Sequence, residues 1–190
     1  MERDAVMDGR LMMNPGSGST PATPVRDGGT VRALYTPEQR LRRDATRWTL
    51  VQGILAPIQF LVFAVSVVLV VRSLLTGEGV AAAHISILIK TVLLYTIMVT
   101  GAIWEKVVFG QYLFAEAFFW EDVVSFVVIA LHTVYLGGLL TGALPTRTLL
   151  LVTLAAYIVY VINAVQFVLK LRAARLQEAR DRTLRSPEPA

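Results

Sequence analysis

The sequence predicts an all-α integral membrane protein, a four-helix bundle with both termini in the cytoplasm. Hydrophobic residues make up 55% of the 190-residue chain, and they concentrate in four windows, residues 48–71, 85–103, 123–144 and 148–169. Lys90 is the only Lys, Arg, Asp or Glu residue within these windows. Because roughly 20 helical residues cross a bilayer core about 30 Å thick, each window meets or closely approaches the length of a membrane span.

A short basic helix is predicted immediately before the first span. Thr36 is placed as its N-cap, a proline follows in the first turn, and Gln39 completes a capping-box pattern. The residues before this helix are rich in Gly, Ser, Thr and Pro, a composition that cannot bury enough apolar surface to offset chain entropy. We therefore expect a disordered extension over residues 1–34, a four-helix domain over 35–175 and a charged tail over 176–190.

Glycines mark the ends of the spans. Gly77 and Gly79 serve the turn after the first span, and Gly142 serves the turn after the third. Gly110 is the predicted stop of the second span, since glycine readily ends a helix in the left-handed conformation.

Basic residues flank the bundle asymmetrically. Seven of them lie beside the first and last spans: Arg40, Arg42, Arg43, Arg47, Lys170, Arg172 and Arg175. The connectors at the opposite face carry only Arg72 and Arg147. This positive-inside pattern predicts that both termini are cytoplasmic. Anionic lipid headgroups then account for the net charge of +4, and no nucleic-acid partner is expected.

Missing residue types exclude several chemistries. The chain has no cysteine, which rules out disulfides, thiolate catalysis and iron–sulfur clusters. His84 and His132 are its two histidines, so a metal site of the protein's own is not expected. The sequence also has no phosphate-binding loop, zinc-protease or serine-hydrolase motif.

Residues 104–122, between the second and third spans, form an aromatic-acidic segment. It holds seven of the chain's seventeen aromatic residues and four acids against one base, Lys106. Ionisable groups at a membrane surface are costly to desolvate and usually face a cavity or a partner. The segment therefore predicts the rim of a binding or catalytic pocket for a large, flat, apolar molecule.

Three acids of this segment are the predicted catalytic residues. Glu105 leaves the second span where Glu121 and Asp122 enter the third, so the short connector imposes their proximity. Clustered carboxylates repel each other, and at least one is expected to hold its proton near neutral pH and act as an acid. The alternative is an ordinary solvated turn.

The aromatic residues and the lysine of the segment are predicted to contact the ligand. Trp104, Tyr112 and Trp120 are typical of an interfacial belt, but the aromatic run before Glu121 also favours stacking on a planar ligand. Lys106 is a second candidate ligand contact, or it forms an interfacial pair with Glu105.

Two ionisable residues lie within the spans. His132 shares one face of its helix with Glu121, roughly 15 Å away along the axis. It is predicted to ligate the metal of a bound tetrapyrrole or to relay a proton, unless it hydrogen bonds a neighbouring helix. Lys90 is expected to extend to the non-cytoplasmic membrane surface.

Several stretches together resemble the 3-vinyl, or 2-vinyl, bacteriochlorophyllide hydratase family of anoxygenic phototrophs. They include YTPEQR from Tyr35, WEKVVFGQY from Trp104, FFWED from Phe118 and YVINA from Tyr160. The resemblance covers residues 35–175.

The resemblance implies a carbon–oxygen lyase that adds water to the C3 vinyl group of chlorophyllide a or a close vinyl bacteriochlorophyllide. It implies a multi-pass protein of a bacterial inner or intracytoplasmic membrane, in contact with lipid and with neighbouring pigment-biosynthesis enzymes. No cofactor of the protein's own is expected, because the substrate carries the magnesium, for which His132 is the candidate axial ligand. The alternatives are a non-enzymatic tetrapyrrole or quinone carrier and, with less support, a small transporter.

Overall fold

A computed structural model describes residues 34–185 of the chain and shows that this part is all helical. The described residues form five helices: α1 (Pro37–Ala45), α2 (Arg47–Thr76), α3 (Val80–Phe109), α4 (Phe119–Thr141) and α5 (Thr146–Arg185). Helices α2 to α5 are each long and apolar enough to cross a membrane, so the chain is a multi-pass membrane protein. The predicted disordered extension lies outside the described residues, apart from Leu34.

The predicted start of α1 is confirmed atom by atom. The Thr36 hydroxyl accepts from the Gln39 amide at 3.2 Å, and the Gln39 side chain accepts from the Thr36 amide at 2.9 Å. The stop of α3 is confirmed as well. Gly110 caps that helix with a φ of 88°, a conformation that costs a residue with a Cβ more than it costs glycine.

The helices and the apolar windows differ at their ends. The window over residues 123–144 runs three residues past the end of α4 at Thr141, because hydropathy does not register the turn at Gly142. Conversely, α5 continues far beyond residue 169 as a charged helix, since charged residues end a membrane span without ending a helix.

The helices pack as two antiparallel hairpins, α2 with α3 and α4 with α5. Contacts of α2 with α5 and of α3 with α4 join the two hairpins. One buried apolar cluster lies toward the α2–α3 and α4–α5 turns and includes Phe63, Val70, Ile87, Tyr135 and Tyr157. A second cluster lies at the other end, beneath the connector of residues 110–118, and is described with the site.

One position brings α4 unusually close to the start of α5. A Cβ atom added at Gly138 would lie 2.6 Å from a methyl carbon of Leu144 and 3.0 Å from Leu149. The absence of a side chain at residue 138 therefore leaves room for Leu144 and Leu149 at this end of the helix pair.

Helix α1 is tied to the rest of the protein by Tyr35. This ring is buried, stacks on Phe109 with centroids 5.8 Å apart, and carries the Arg43 guanidinium 4.8 Å above it. Arg43 also pairs with Glu178 of α5 at 3.2 Å. Burial raises the pKa of Tyr35 to about 12, so the phenol stays neutral at physiological pH.

The prediction for Lys90 is wrong. Its side chain does not extend to a membrane surface but is completely buried between helices, above the ring of Tyr160 on α5. Lys90 therefore lies on the face of α3 that meets another helix, and not on the face that meets lipid.

Candidate functional site

Two carboxyl groups meet where α3 ends and α4 begins. The side chains of Glu105 and Asp122 hydrogen bond to each other, and both residues are about 95% buried. Two carboxyl groups can share a hydrogen bond only when one of them carries a proton. The pair is thus built to hold one proton and one acceptor side by side.

The backbone of the connector, residues 110–118, is bound to this pair. The Ala115 amide donates to Glu105 at 3.2 Å, and the Phe114 amide donates to Asp122 at 2.7 Å. Phe114 has a φ of 58°, which is uncommon for a residue with a side chain and costs about 1 kcal/mol or more. The two carboxyl groups therefore hold a strained stretch of connector directly over themselves.

The third predicted acid has a different partner. Glu121 is 4% exposed and forms an ion pair with Lys170 of α5, and the same ammonium donates to the Ala117 carbonyl. Glu121 also lies in the first turn of α4, where the helix dipole favours negative charge. Lys170 was not among the predicted site residues. Its spacing from Asn163 and Gln166, seven and four residues earlier, was the available signal of a polar face on α5.

One predicted aromatic contact lies in the wall of the site. Trp104 is half-buried and touches Phe109 and Phe118 edge to face, with ring centroids 5.8 and 5.7 Å apart. Its indole nitrogen donates to the Thr49 hydroxyl of α2 at 2.9 Å, which fixes the ring orientation. Phe118 is buried at the centre of this second apolar cluster, together with Tyr35.

The remaining predicted contacts lie on the surface around the connector. Tyr112 and Trp120 are 60% and 67% exposed. Lys106 donates to the Gly110 carbonyl at 2.8 Å, and its nitrogen lies 5.2 Å from the Tyr112 ring. Lys106 thus caps the end of its own helix, and among the described residues no ion pair joins it to Glu105.

His132 is separate from the carboxyl groups and lies in the interior. It is 1% exposed, and its Nδ1 lies 2.8 Å from the Val128 carbonyl. Because that carbonyl can only accept, Nδ1 carries a hydrogen and the neutral ring has its lone pair on Nε2. Nε2 has no hydrogen-bond partner within residues 34–185. The Nε2 lone pair is therefore available to a ligand, as it is in a metal-ligating histidine whose other nitrogen donates to a carbonyl.

Comparisons with known proteins agree on one family. The sequence model of the 2-vinyl bacteriochlorophyllide hydratase family matches residues 35–173. A protein of that name from Rhodobacter capsulatus is 73% identical over 148 residues, which are 78% of this chain and 86% of the relative. A second, from Cereibacter sphaeroides, is 74% identical over 145 residues, 76% of this chain and 90% of the relative.

No solved structure matches the chain. The family match starts at the buried Tyr35 and runs through the carboxyl pair to Lys170, so it includes every residue of the site described above. The resemblance noted from the sequence is confirmed, and the chain belongs to the 2-vinyl bacteriochlorophyllide hydratase family.

Proposed function

We propose that this protein is a hydro-lyase that adds water to the C3 vinyl group of chlorophyllide a or a vinyl bacteriochlorophyllide. The product carries a 3-(1-hydroxyethyl) group and leads to bacteriochlorophyll. The observation that carries the proposal is the identity of 73% and 74% to two relatives named for this reaction, over most of their length. The hydrogen-bonded carboxyl pair supplies a chemical reason for it.

The reaction needs an acid and a base at one place. A proton adds to the terminal vinyl carbon and leaves a cation on the inner carbon, delocalised into the macrocycle. Water forms the new C–O bond at the inner carbon, and its surplus proton returns to a carboxylate. The pair of Glu105 and Asp122 holds one proton to give and one acceptor for water, so a single pair serves both halves of the addition.

Glu121 is a positioning residue for the pair of Glu105 and Asp122. Its ion pair with Lys170 fixes the first turn of α4, from which Asp122 reaches Glu105.

The aromatic residues bind the macrocycle. Trp104 offers a ring held in place by its hydrogen bond to Thr49, whereas Tyr112, Trp120 and Lys106 line the outer approach. A flat pigment entering from the lipid surface would stack on these rings first and then pass the connector to reach the carboxyl pair.

We place the protein as a four-helix bundle in a bacterial inner or intracytoplasmic membrane, with both termini and the connector on the cytoplasmic side. The basic residues of α1 and of the end of α5 support this orientation. Membrane lipid and neighbouring pigment-biosynthesis enzymes are the proposed partners. The protein needs no cofactor of its own, and the magnesium arrives with the substrate.

His132 is the proposed axial ligand of the substrate's magnesium. We expect His132→Ala to weaken binding of chlorophyllide by roughly 10- to 100-fold, because changes around metal-ligand bonds have effects of that size. Absorption titrations of the detergent-solubilised protein measure this loss. The magnesium-free pigment is the matched control, and its affinity should not change. An equal loss for both pigments would show that the imidazole is structural.

The function itself is tested by anaerobic incubation of chlorophyllide a with membranes of a non-photosynthetic bacterium that makes this protein. We expect the pigment to gain the mass of one water and its red absorption band to shift to the blue, since hydration removes the vinyl conjugation. Membranes without the protein are the control. Pigment that is bound but chemically unchanged would favour the carrier alternative.

A further inference from the structure

Lys90 is a buried lysine in the interior of the spanning helices. No part of its surface is exposed, and it lies in the first half of α3. The ion pairs within residues 34–185 involve Arg40, Arg43, Arg72 and Lys170, but not Lys90. The Lys90 Nζ has no hydrogen-bond partner in the described part of the chain.

The surroundings of Lys90 compensate its charge only in part. Its Nζ lies 3.7 Å from the centre of the Tyr160 ring, which is a cation–π contact. An ammonium has three N–H donors, and a ring face does not replace the hydrogen-bond acceptors that water would offer. A protonated Lys90 would be strongly destabilised here without an ionic partner, so a ligand that brings a negative charge would stabilise the protonated form.

A second unpaired nitrogen lies nearby. His132 of α4 is close enough to interact electrostatically with Lys90, and its Nε2 also lacks a hydrogen-bond partner within residues 34–185. The two nitrogens differ in chemistry. The imidazole Nε2 has a lone pair for a metal, whereas the ammonium has N–H donors for a carboxylate.

We propose that Lys90 binds the free propionate carboxylate of the pigment substrate, an inference that rests on the proposed function. A chlorophyllide carries this carboxylate free, and a chlorophyll carries it as an ester. Lys90 thereby sets the specificity of the protein for the free acid, because only the acid neutralises the buried ammonium.

The test compares chlorophyllide a with the methyl ester of its propionate. We expect the full-length solubilised protein to bind the acid roughly 10- to 100-fold more tightly, the range for a charge-assisted hydrogen bond. Lys90→Met keeps the aliphatic stem and removes the charge. It should weaken binding of the acid to the level of the ester and leave binding of the ester unchanged.

Arg72→Met is the matched control, since it removes an exposed cation at the end of α2 and should preserve the preference for the acid. Equal affinity of the unmodified protein for acid and ester would overturn the proposal. Equal weakening of both pigments by Lys90→Met would also overturn it, because that result indicates a packing role.

Failure of the proposed function is distinguishable from failure of this inference. Preference for the acid without any hydration supports the Lys90 site and contradicts the hydratase assignment. Hydration of acid and ester with equal affinity contradicts the Lys90 site alone.

Discussion

Glu105→Gln and Asp122→Asn are each expected to lower the rate of hydration by roughly 10²- to 10⁴-fold, the range typical of general acid–base groups. The substituted amide can still donate to the remaining carboxylate and accept from the connector amide, so the hydrogen bonds at the pair persist. What disappears is the transferable proton. The variants should therefore insert into membranes and bind chlorophyllide while turnover is lost.

The measurement is the initial rate of water addition per protein, with binding of chlorophyllide titrated on the same preparation. Glu116→Gln is the matched control, because it neutralises an exposed acid of the same segment. Glu121→Gln is also expected to lose most turnover, since the start of α4 loses its ion pair. Turnover close to that of the unmodified protein in all three site variants would contradict the acid–base assignment and favour a carrier.

Lys170→Met is expected to destabilise the folded protein by about 3 kcal/mol, because it leaves the buried Glu121 carboxylate without its ionic partner. Thermal unfolding of the solubilised protein measures this effect. Combining Lys170→Met with Glu121→Gln should recover part of the loss, since the double variant removes both charges.

Arg175→Met is the control for this prediction, because it removes an exposed cation from the same helix. The melting temperature of Arg175→Met should stay near that of the unmodified protein. If the double variant is as unstable as the sum of the two single variants, Lys170 and Glu121 are not energetically coupled and the structural role of the pair is wrong.

Much of the fold and part of the site could be predicted from the sequence. Uninterrupted apolar windows specify spanning helices because a charge in the bilayer core is costly. The meeting of Glu105 with Asp122 was predictable for a simple reason: a connector of nine residues, 110–118, keeps the ends of α3 and α4 at one level.

The pairings of Lys90 and Lys170 were not predictable in the same way. Hydropathy does not distinguish the lipid-facing side of a helix from the side that meets another helix, since both are apolar, and so Lys90 was assigned to the wrong environment. The partner of Lys170 depends on how α5 is aligned against α4. That alignment follows from side-chain packing along the whole helix pair, and no local pattern encodes it.

The close approach at Gly138 has a consequence for how this protein tolerates substitution. A side chain at position 138 would meet the side chains of Leu144 and Leu149, which would have to move, so we expect a substitution there to change how α4 packs against the start of α5. Glu121 lies on the same continuous helix, roughly 25 Å away along the axis, and its contact with Lys170 depends on how α4 and α5 are aligned. We therefore expect a substitution at this glycine, which has no chemical function, to resemble the loss of a residue of the proposed site.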